Sequence, residues 1–496
     1  MILGAAVTGA SQERDSLALR VEDAVRLGLE RNLDLTIERY EVPIAQEQTR
    51  RAASDFDPRV QLSATGGRQE LPVNSALEQQ AEGGTIVEES VIPEVGLGGK
   101  FLTGTRYNLS LVTPVVETNN PNRRFDQYYR PVLTLGLAQP LLKEFGIEVN
   151  VVRIRQAERT ERIASYGIEA KMLTVIRDVE TSYWTLFFAE QHVRVAEGSL
   201  ELARDLVERL RRMAAAGLAT ALDVRQGEVG VEVRRADQLR AEADLLNAQV
   251  QLRLLTDPGR SGRIVAVDAP PEERPPVDLA GKLARAVAQR PEILRQELTI
   301  ENLVLQEMLD KNNTLPSLDV VGSLGYTGLA GRGTGPAITD PAAASRGQGS
   351  YFDAFNDGNF TWSLGLRLQV PLGNRDALGR LEQTRLRLGQ ERVRLSLLKS
   401  QISVEVETAF QDMTAAWGQV MAAAAGVAVA REQLDAQERQ LAAGLTTVRR
   451  VLEAQDEVAR AQDQRIQALV RYGTARSRLA AAAGSSFETY RLVVRR

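Results

Sequence analysis

Ala215-Ala216-Gly217-Leu218 is followed, 227 positions later, by Ala442-Ala443-Gly444-Leu445. Upstream of each tetrapeptide lies another matched segment, Val179-Glu180-Thr181 and Val406-Glu407-Thr408, at the same offset of 227. The two copies therefore keep register through the intervening residues without a gap. Around each Gly-Leu the sequence is rich in Ala, Leu, Arg, Glu and Gln, with apolar residues three and four apart, the spacing of an amphipathic helix. A glycine between two such runs lets a helix stop and the chain reverse, because glycine enters the left-handed region at no steric cost. The tetrapeptide marks the tip of a helical hairpin, and the chain is written twice.

Further from the tips the duplication continues. Leu19, Ala24, Leu27 and Leu29 set a helical pattern that passes Asn32-Leu33-Asp34 and ends at Phe56-Asp57-Pro58-Arg59-Val60. Leu279, Leu283 and Val287 do the same, through Arg290-Pro291-Glu292 to Leu315-Pro316-Ser317-Leu318. Asp34 to Glu292 and Pro58 to Pro316 share an offset of 258. Each half reads helix, strand, loop, strand, very long helix, turn, long helix. The long helices are expected over 147–215, 219–256, 376–442 and 446–483, the longer ones on the order of 100 Å at ~1.5 Å per residue. That length suits coiled-coil packing rather than a compact core. Pro43 predicts a kink or break in the first helical pattern.

The chain divides accordingly. Residues 17–256 form the first repeat, with strands over about 59–138, and 277–484 the second, with strands over about 317–371. Residues 257–276, rich in Pro, Gly and charge, read as a linker, and 485–496 as a C-terminal tail. Residues 1–16 read either as the back half of a secretory signal, apolar through Ala10 and then polar, or as a frayed tail.

Composition removes whole classes of function. There is no cysteine, hence no disulfide, thiol nucleophile or Cys-based metal site. His192 is the only histidine, which excludes multi-His metal centres and His-dependent triads; it reads as a solvated helix residue. A net charge of -4 offers no basic excess for nucleic acid. No phosphate loop or nucleophile–base pairing stands out, so no enzyme activity, cofactor or metal is expected. No run of ~20 apolar residues suggests a transmembrane helix, which leaves strands for any membrane crossing.

Several short segments alternate with period two. Val60, Leu62 and Ala64 alternate with polar neighbours, as do Tyr107, Leu109 and Leu111, and Trp362, Leu364, Leu366 and Leu368. Weaker alternation covers 132–138 and 318–326. One apolar and one polar face suit a barrel between lipid and water, although a half-buried sheet shows the same pattern. Phe125, Tyr128, Tyr129, Tyr351, Phe352, Phe355, Phe360 and Trp362 cluster nearby, as an interfacial girdle or as loop packing. A hairpin over 93–112, turning at Thr103-Gly104, gives six strands per protomer if it enters the barrel and four if it stays outside. Neither number closes a barrel alone, and open edges are not tolerated in lipid. A ring of three protomers supplies 12 or 18 strands. The expected fold class is mainly α with a membrane β-barrel portion: duplicated coiled-coil helices plus 4–6 strands, completed as a trimeric channel.

These features together resemble the TolC-type outer-membrane efflux proteins. The resemblance spans about residues 17–484 and rests on the Leu19-to-Ala24 opening, the Gln139-Pro140-Leu141-Leu142 exit from the strands, and the two Ala-Gly-Leu turns. It implies a homotrimer in outer-membrane lipid with a periplasmic helical tunnel. It also implies a periplasmic adaptor that meets the hairpin tips, at Gly217-Leu218 and Gly444-Leu445, and an inner-membrane pump of RND or ABC type. Such an assembly passively conducts cargo for efflux or type I secretion; the alternative is a periplasmic coiled-coil adaptor or scaffold. The family narrows its periplasmic end with acids six and nine residues after the second glycine. Here those positions hold Arg450 and Glu453, while Asp223 lies six after the first glycine. The resemblance therefore suggests a charged constriction of Asp223, Arg450 and Glu453, with an Asp223–Arg450 pair holding it closed.

Overall fold

The computed structural model describes residues 17–73, 84–257, 262–274, 278–332, 349–355 and 358–492. The signal-like start, the last four residues of the tail, parts of the linker and most of the loop before residue 359 lie outside the described residues. The chain opens with β1 (Leu17–Leu19) and three helices in series, α1 (Val21–Arg31), α2 (Leu33–Arg39) and α3 (Glu41–Ala53). Six strands follow: β2 (Arg59–Pro72), β3 (Thr85–Lys100), β4 (Arg106–Val112), β5 (Val115–Thr118), β6 (Gln127–Tyr129) and β7 (Val132–Pro140). A short helix α4 (Ile147–Asn150) leads into the first hairpin, α5 (Val152–Ala215) and α6 (Ala221–Thr256). The second half has β8 (Ile264–Ala266), α7 (Leu279–Gln289), α8 (Pro291–Asn313), β9 (Ser317–Thr327), β10 (Ala330–Arg332) and β11 (Asn359–Gln369). It ends with the second hairpin, α9 (Arg375–Ala442) and α10 (Val448–Ala482), and a single turn, α11 (Ser486–Thr489).

The four long helices stand where the periodicity places them. α5 has 64 residues and α9 has 68, about 96 and 102 Å at ~1.5 Å per residue. The break expected at Pro43 falls three residues earlier, at Tyr40. Pro43 then occupies the first turn of α3, where its missing N–H needs no intrahelical partner. A further break separates α1 from α2 at Asn32 (φ -63°, ψ 124°), and its counterpart 258 residues on, Arg290, has nearly the same backbone (φ -64°, ψ 131°). The chemistry differs. Asn32 accepts from the Leu35 N–H at 3.0 Å and caps α2, whereas Arg290 is forced extended by the following Pro291.

Two compact units divide the chain, and each draws on both sequence repeats. One comprises Met1–Pro43, Arg162–Glu297 and Arg392–Arg496; the other comprises Ile44–Glu161 and Leu298–Glu391. Among the described residues the first unit holds three apolar cores. One joins Val25, Leu35, Ile176, Val179, Tyr183 and Leu252. The next joins Ala286, Ile293, Val406, Met413 and Tyr472, and the last joins Leu206, Leu210, Val451 and Val458. The expected linker is not merely a connection: β8 within it pairs in parallel with β1, and the Ala266 and Asp268 N–H groups donate to Glu190 and to the Tyr183 hydroxyl. The expected tail is likewise built in, since Phe487, Tyr490 and Leu492 pack on the first core.

One expectation about apolar runs is corrected. α9 is long and apolar enough, by length and composition, to pass as a membrane span. Residues 413–430 carry no charge, and their hydropathy comes largely from alanine. Met413, Ala416, Val420, Val427 and Ala430 bury that helix face within the cores, so the run serves close packing between helices.

The second unit carries a nine-stranded antiparallel sheet. Its long strands follow the order β2-β3-β4-β7-β9-β11, and β5, β6 and β10 extend it from the far half of β3. The β3–β4 hairpin expected over 93–112 is present. Val95 lies opposite Leu111 and Leu97 opposite Leu109. Gly104, at φ +93°, closes the turn by donating its N–H to the Phe101 carbonyl at 2.8 Å.

Candidate functional site

The two hairpin tips are nearly superimposable in their bonding. Gly217 and Gly444 have φ of +74° and +71°. The Leu218 N–H donates to the Met213 carbonyl, and the Leu445 N–H to Gln440, both at 2.8 Å. These are six-to-one bonds of a helix stop that needs glycine. The leucines are a separate matter. In such stops the residue after glycine commonly packs back on its own helix, yet Leu218 is 74% exposed and Leu445 78%. The glycines make the turn; the leucines stand free at its apex.

The expected constriction residues divide by chemistry. Asp223 completes a capping box on α6: its carboxylate accepts from the Thr220 N–H at 2.9 Å and hydroxyl at 2.7 Å, while its own N–H donates to Thr220 Oγ1 at 3.2 Å. These bonds hold its carboxyl below the ordinary carboxylate pKa. The matching positions on α10 are Thr447 and Arg450. An arginine cannot accept, and Thr447 makes no side-chain cap bond. Glu453 bonds Arg449 at 2.9 Å. Among the described residues the Asp223–Arg450 pair is not formed within one protomer; the Asp223 carboxylate bonds Thr220 through Oδ2.

Four interactions of the first unit escaped the sequence reading. His192 is not a solvated helix residue: its Nδ1 lies 2.8 Å from Asp463, its ring stacks on Phe188 at 5.6 Å, and that bond raises its pKa. Arg234, 6% exposed in its side chain, reaches Asp456 at 2.6 Å and donates to the Gly230 carbonyl at 3.1 Å. Glu180 accepts from the Tyr490 hydroxyl, and burial pushes the Glu180 pKa up. The Tyr183 hydroxyl donates to the Leu19 carbonyl at 2.9 Å, and burial pushes its pKa up to about 12. No spacing pattern marks the contacts to Asp463, Asp456, Tyr490 and Leu19, because each joins segments far apart in sequence.

The sheet has two distinct faces. Residues opposed in an antiparallel ladder project to the same side. On one side β2 contributes Val60 and Leu62, β7 Leu133 and Leu135, and β11 Phe360, Trp362 and Leu364. Val60 is 69% and Trp362 71% exposed, so no described residue covers that face at β2 and β11. The other side carries small and polar groups, with Ser323 and Ser363 hydroxyls 2.7 Å apart. The aromatic residues divide. Phe125 is buried, and Tyr351 makes edge-type contacts with Tyr129, Phe352 and Phe355, so these pack loops; Phe360 and Trp362 stand on the apolar face.

Duplicated helical hairpins with an antiparallel wall that is apolar on its uncovered side define the outer-membrane channel class of fold. The chain belongs to the outer membrane efflux protein family, whose profile matches residues 24–257 and 283–485. This places it in the outer membrane with a periplasmic helical portion, in a family of transport ducts rather than of enzymes. It is similar to nodulation protein T of Rhizobium leguminosarum bv. trifolii, 23% identical over 314 residues, covering 62% of this chain and 59% of that relative. Among solved structures it resembles the CmeC outer membrane channel of Campylobacter jejuni (16% identity, TM-score 0.63, 94% of this chain and 85% of that one). It also resembles VceC of Vibrio cholerae (16% identity, TM-score 0.64, 94% and 96%).

Proposed function

We propose that this protein is the exit duct of a tripartite efflux or type I secretion assembly, passive itself and driven by an inner-membrane pump of RND or ABC type. Three copies close the wall, and a periplasmic adaptor docks at the helix tips. The observation that carries this reading is the sheet: an uncovered apolar face bounded by β2 and β11, whose outer edges have no partner strand among the described residues. In lipid, unpaired backbone groups cost several kcal/mol each, so only further copies can complete the structure. Exposed apolar seams support the same assembly. Leu222, Val229, Val233, Leu246, Val250 and Leu254 run along α6, and Leu386, Val393, Leu397 and Val404 along α9, at spacings of largely four and seven that suit coiled-coil contact. The adaptor or scaffold reading is not favoured, since the family match spans the strands as well as both hairpins. Fractionation followed by gel electrophoresis without boiling tests the duct. A detergent-requiring trimer is expected, and recovery as a soluble monomer would remove the reading.

At the tips, Leu218 and Leu445 are the groups we assign to adaptor contact, with Gly217 and Gly444 shaping the turn. The constriction is revised rather than kept whole. Arg450 is exposed and has no ion-pair partner among the described residues of its own protomer, so three copies would present a ring of cations, with Asp223 and Glu453 beside it.

A further inference from the structure

We propose that the β3–β4 hairpin belongs to the membrane wall, so that each copy contributes six strands and three copies close an 18-stranded barrel; the inference rests on the trimeric duct reading above. Register carries it. Val60 opposes Leu97, Leu97 opposes Leu109, Leu109 opposes Leu135, Leu135 opposes Leu324, and Leu324 opposes Trp362. The neighbouring row reads Leu62, Val95, Leu111, Leu133, Tyr326 and Phe360. Two apolar rows thus cross all six strands without interruption, and the hairpin supplies the second and third member of each. On the opposite face the row Arg59, Gly98, Asn108, Gly136, Ser323 and Ser363 is polar or small throughout. A hairpin lying outside the wall has no reason to alternate in phase with it.

Connectivity agrees. β2 bonds β3 along its whole length, and β7 bonds β4, so no direct β2–β7 pairing exists to close a four-strand wall. Six alternating strands also leave β2 and β11 running in opposite directions. The β11 edge of one copy therefore meets the β2 edge of the next as an antiparallel pair.

The consequence is a wider exit. At ~4.8 Å between strands and a tilt of about 40°, 18 strands give a backbone cylinder about 36 Å across, against about 24 Å for 12. The lumen then falls in the range where barrels of 16–18 strands hold an open aqueous channel, and admits cargo of larger cross-section.

The absence of cysteine makes the test direct, since any introduced thiol is the only one per copy. Leu109→Cys on β4, Ser110→Cys on its other face and Leu364→Cys on β11 are spin-labelled in the full-length protein in phosphatidylcholine vesicles. Labels at 109 and 364 should be relaxed by oxygen more than by a water-soluble nickel chelate, and the label at 110 the reverse. The distance between copies at position 364 should correspond to about 31 Å on the backbone cylinder for 18 strands, and about 21 Å for 12. A spacing near 21 Å, or a 109 label that behaves as 110 does while 364 stays in lipid, overturns the proposal. A 364 label outside lipid and without an inter-copy distance overturns the duct reading instead. Leu97→Cys on β3 repeats the measurement if the β4 variants do not assemble.

Discussion

His192 faces charges from two helices: Asp463 on α10 and Asp237 and Asp244 on α6. The hydrogen bond that the imidazolium Nδ1–H donates to Asp463 outweighs the opposing effect of burial, so the imidazolium is favoured in the folded protein. A pKa raised on folding adds stability that is fully present below the unfolded value, about 6.5, and is lost as pH rises through the folded value. Selective labelling of the single histidine should therefore show a titration midpoint above 6.5, brought down by Asp463→Asn; a midpoint unshifted in the parent protein would contradict the contact. The Arg234–Asp456 pair makes an asymmetric prediction. Arg234 is 6% exposed and Asp456 45%. Asp456→Ala strands a buried cation and should cost about 3 kcal/mol, whereas Arg234→Met leaves a carboxylate that water can reach and should stay within about 1 kcal/mol. Denaturant unfolding of both variants in detergent checks the order; equal losses would mean that the guanidinium is not confined by its burial.

The matched helix starts Thr220–Asp223 and Thr447–Arg450 show what the duplication preserves and what it lets drift. Asp223 satisfies a first-turn N–H and favours the positive end of the α6 dipole; Arg450 does neither for α10. Asp223→Ala should destabilise α6 by about 1 kcal/mol, and Arg450→Asp should stabilise α10 by a similar amount. Because the Asp223 pKa is lowered, its cap is present above the unfolded carboxylate value and lost as pH falls through the folded one. Arg450→Asp serves twice, since single-channel recordings should also shift from anion towards cation preference. Unchanged selectivity would sink the constriction idea while leaving the cap intact. Long helices, tips and the β3–β4 turn were legible because 3.6- and 2-residue periodicity and a left-handed glycine are local properties. The break at Asn32 was not. It depends on a side-chain cap and on an amide that donates to the distant Leu255 carbonyl at 3.2 Å.

For the whole molecule, docking at the tips and closure of the wall are separable events. Leu218→Asp combined with Leu445→Asp replaces two exposed apolar groups without touching the glycines that form the turns. The variant should keep its trimer on unboiled gels and lose export activity in cells by at least tenfold; full export would refute an adaptor role for the leucines. Duplication, class of fold and family resemblance were determined by the sequence alone, because repeat register, helical and strand periodicity and turn glycines are all written in neighbouring residues. The pairing of six long strands in one sheet, the β1–β8 pairing, the packed tail, and the partners of His192, Arg234 and Glu180 were decided only by tertiary structure. Each depends on groups brought together across many tens or hundreds of residues, and local spacing carries no record of which distant strand or carboxylate will lie opposite.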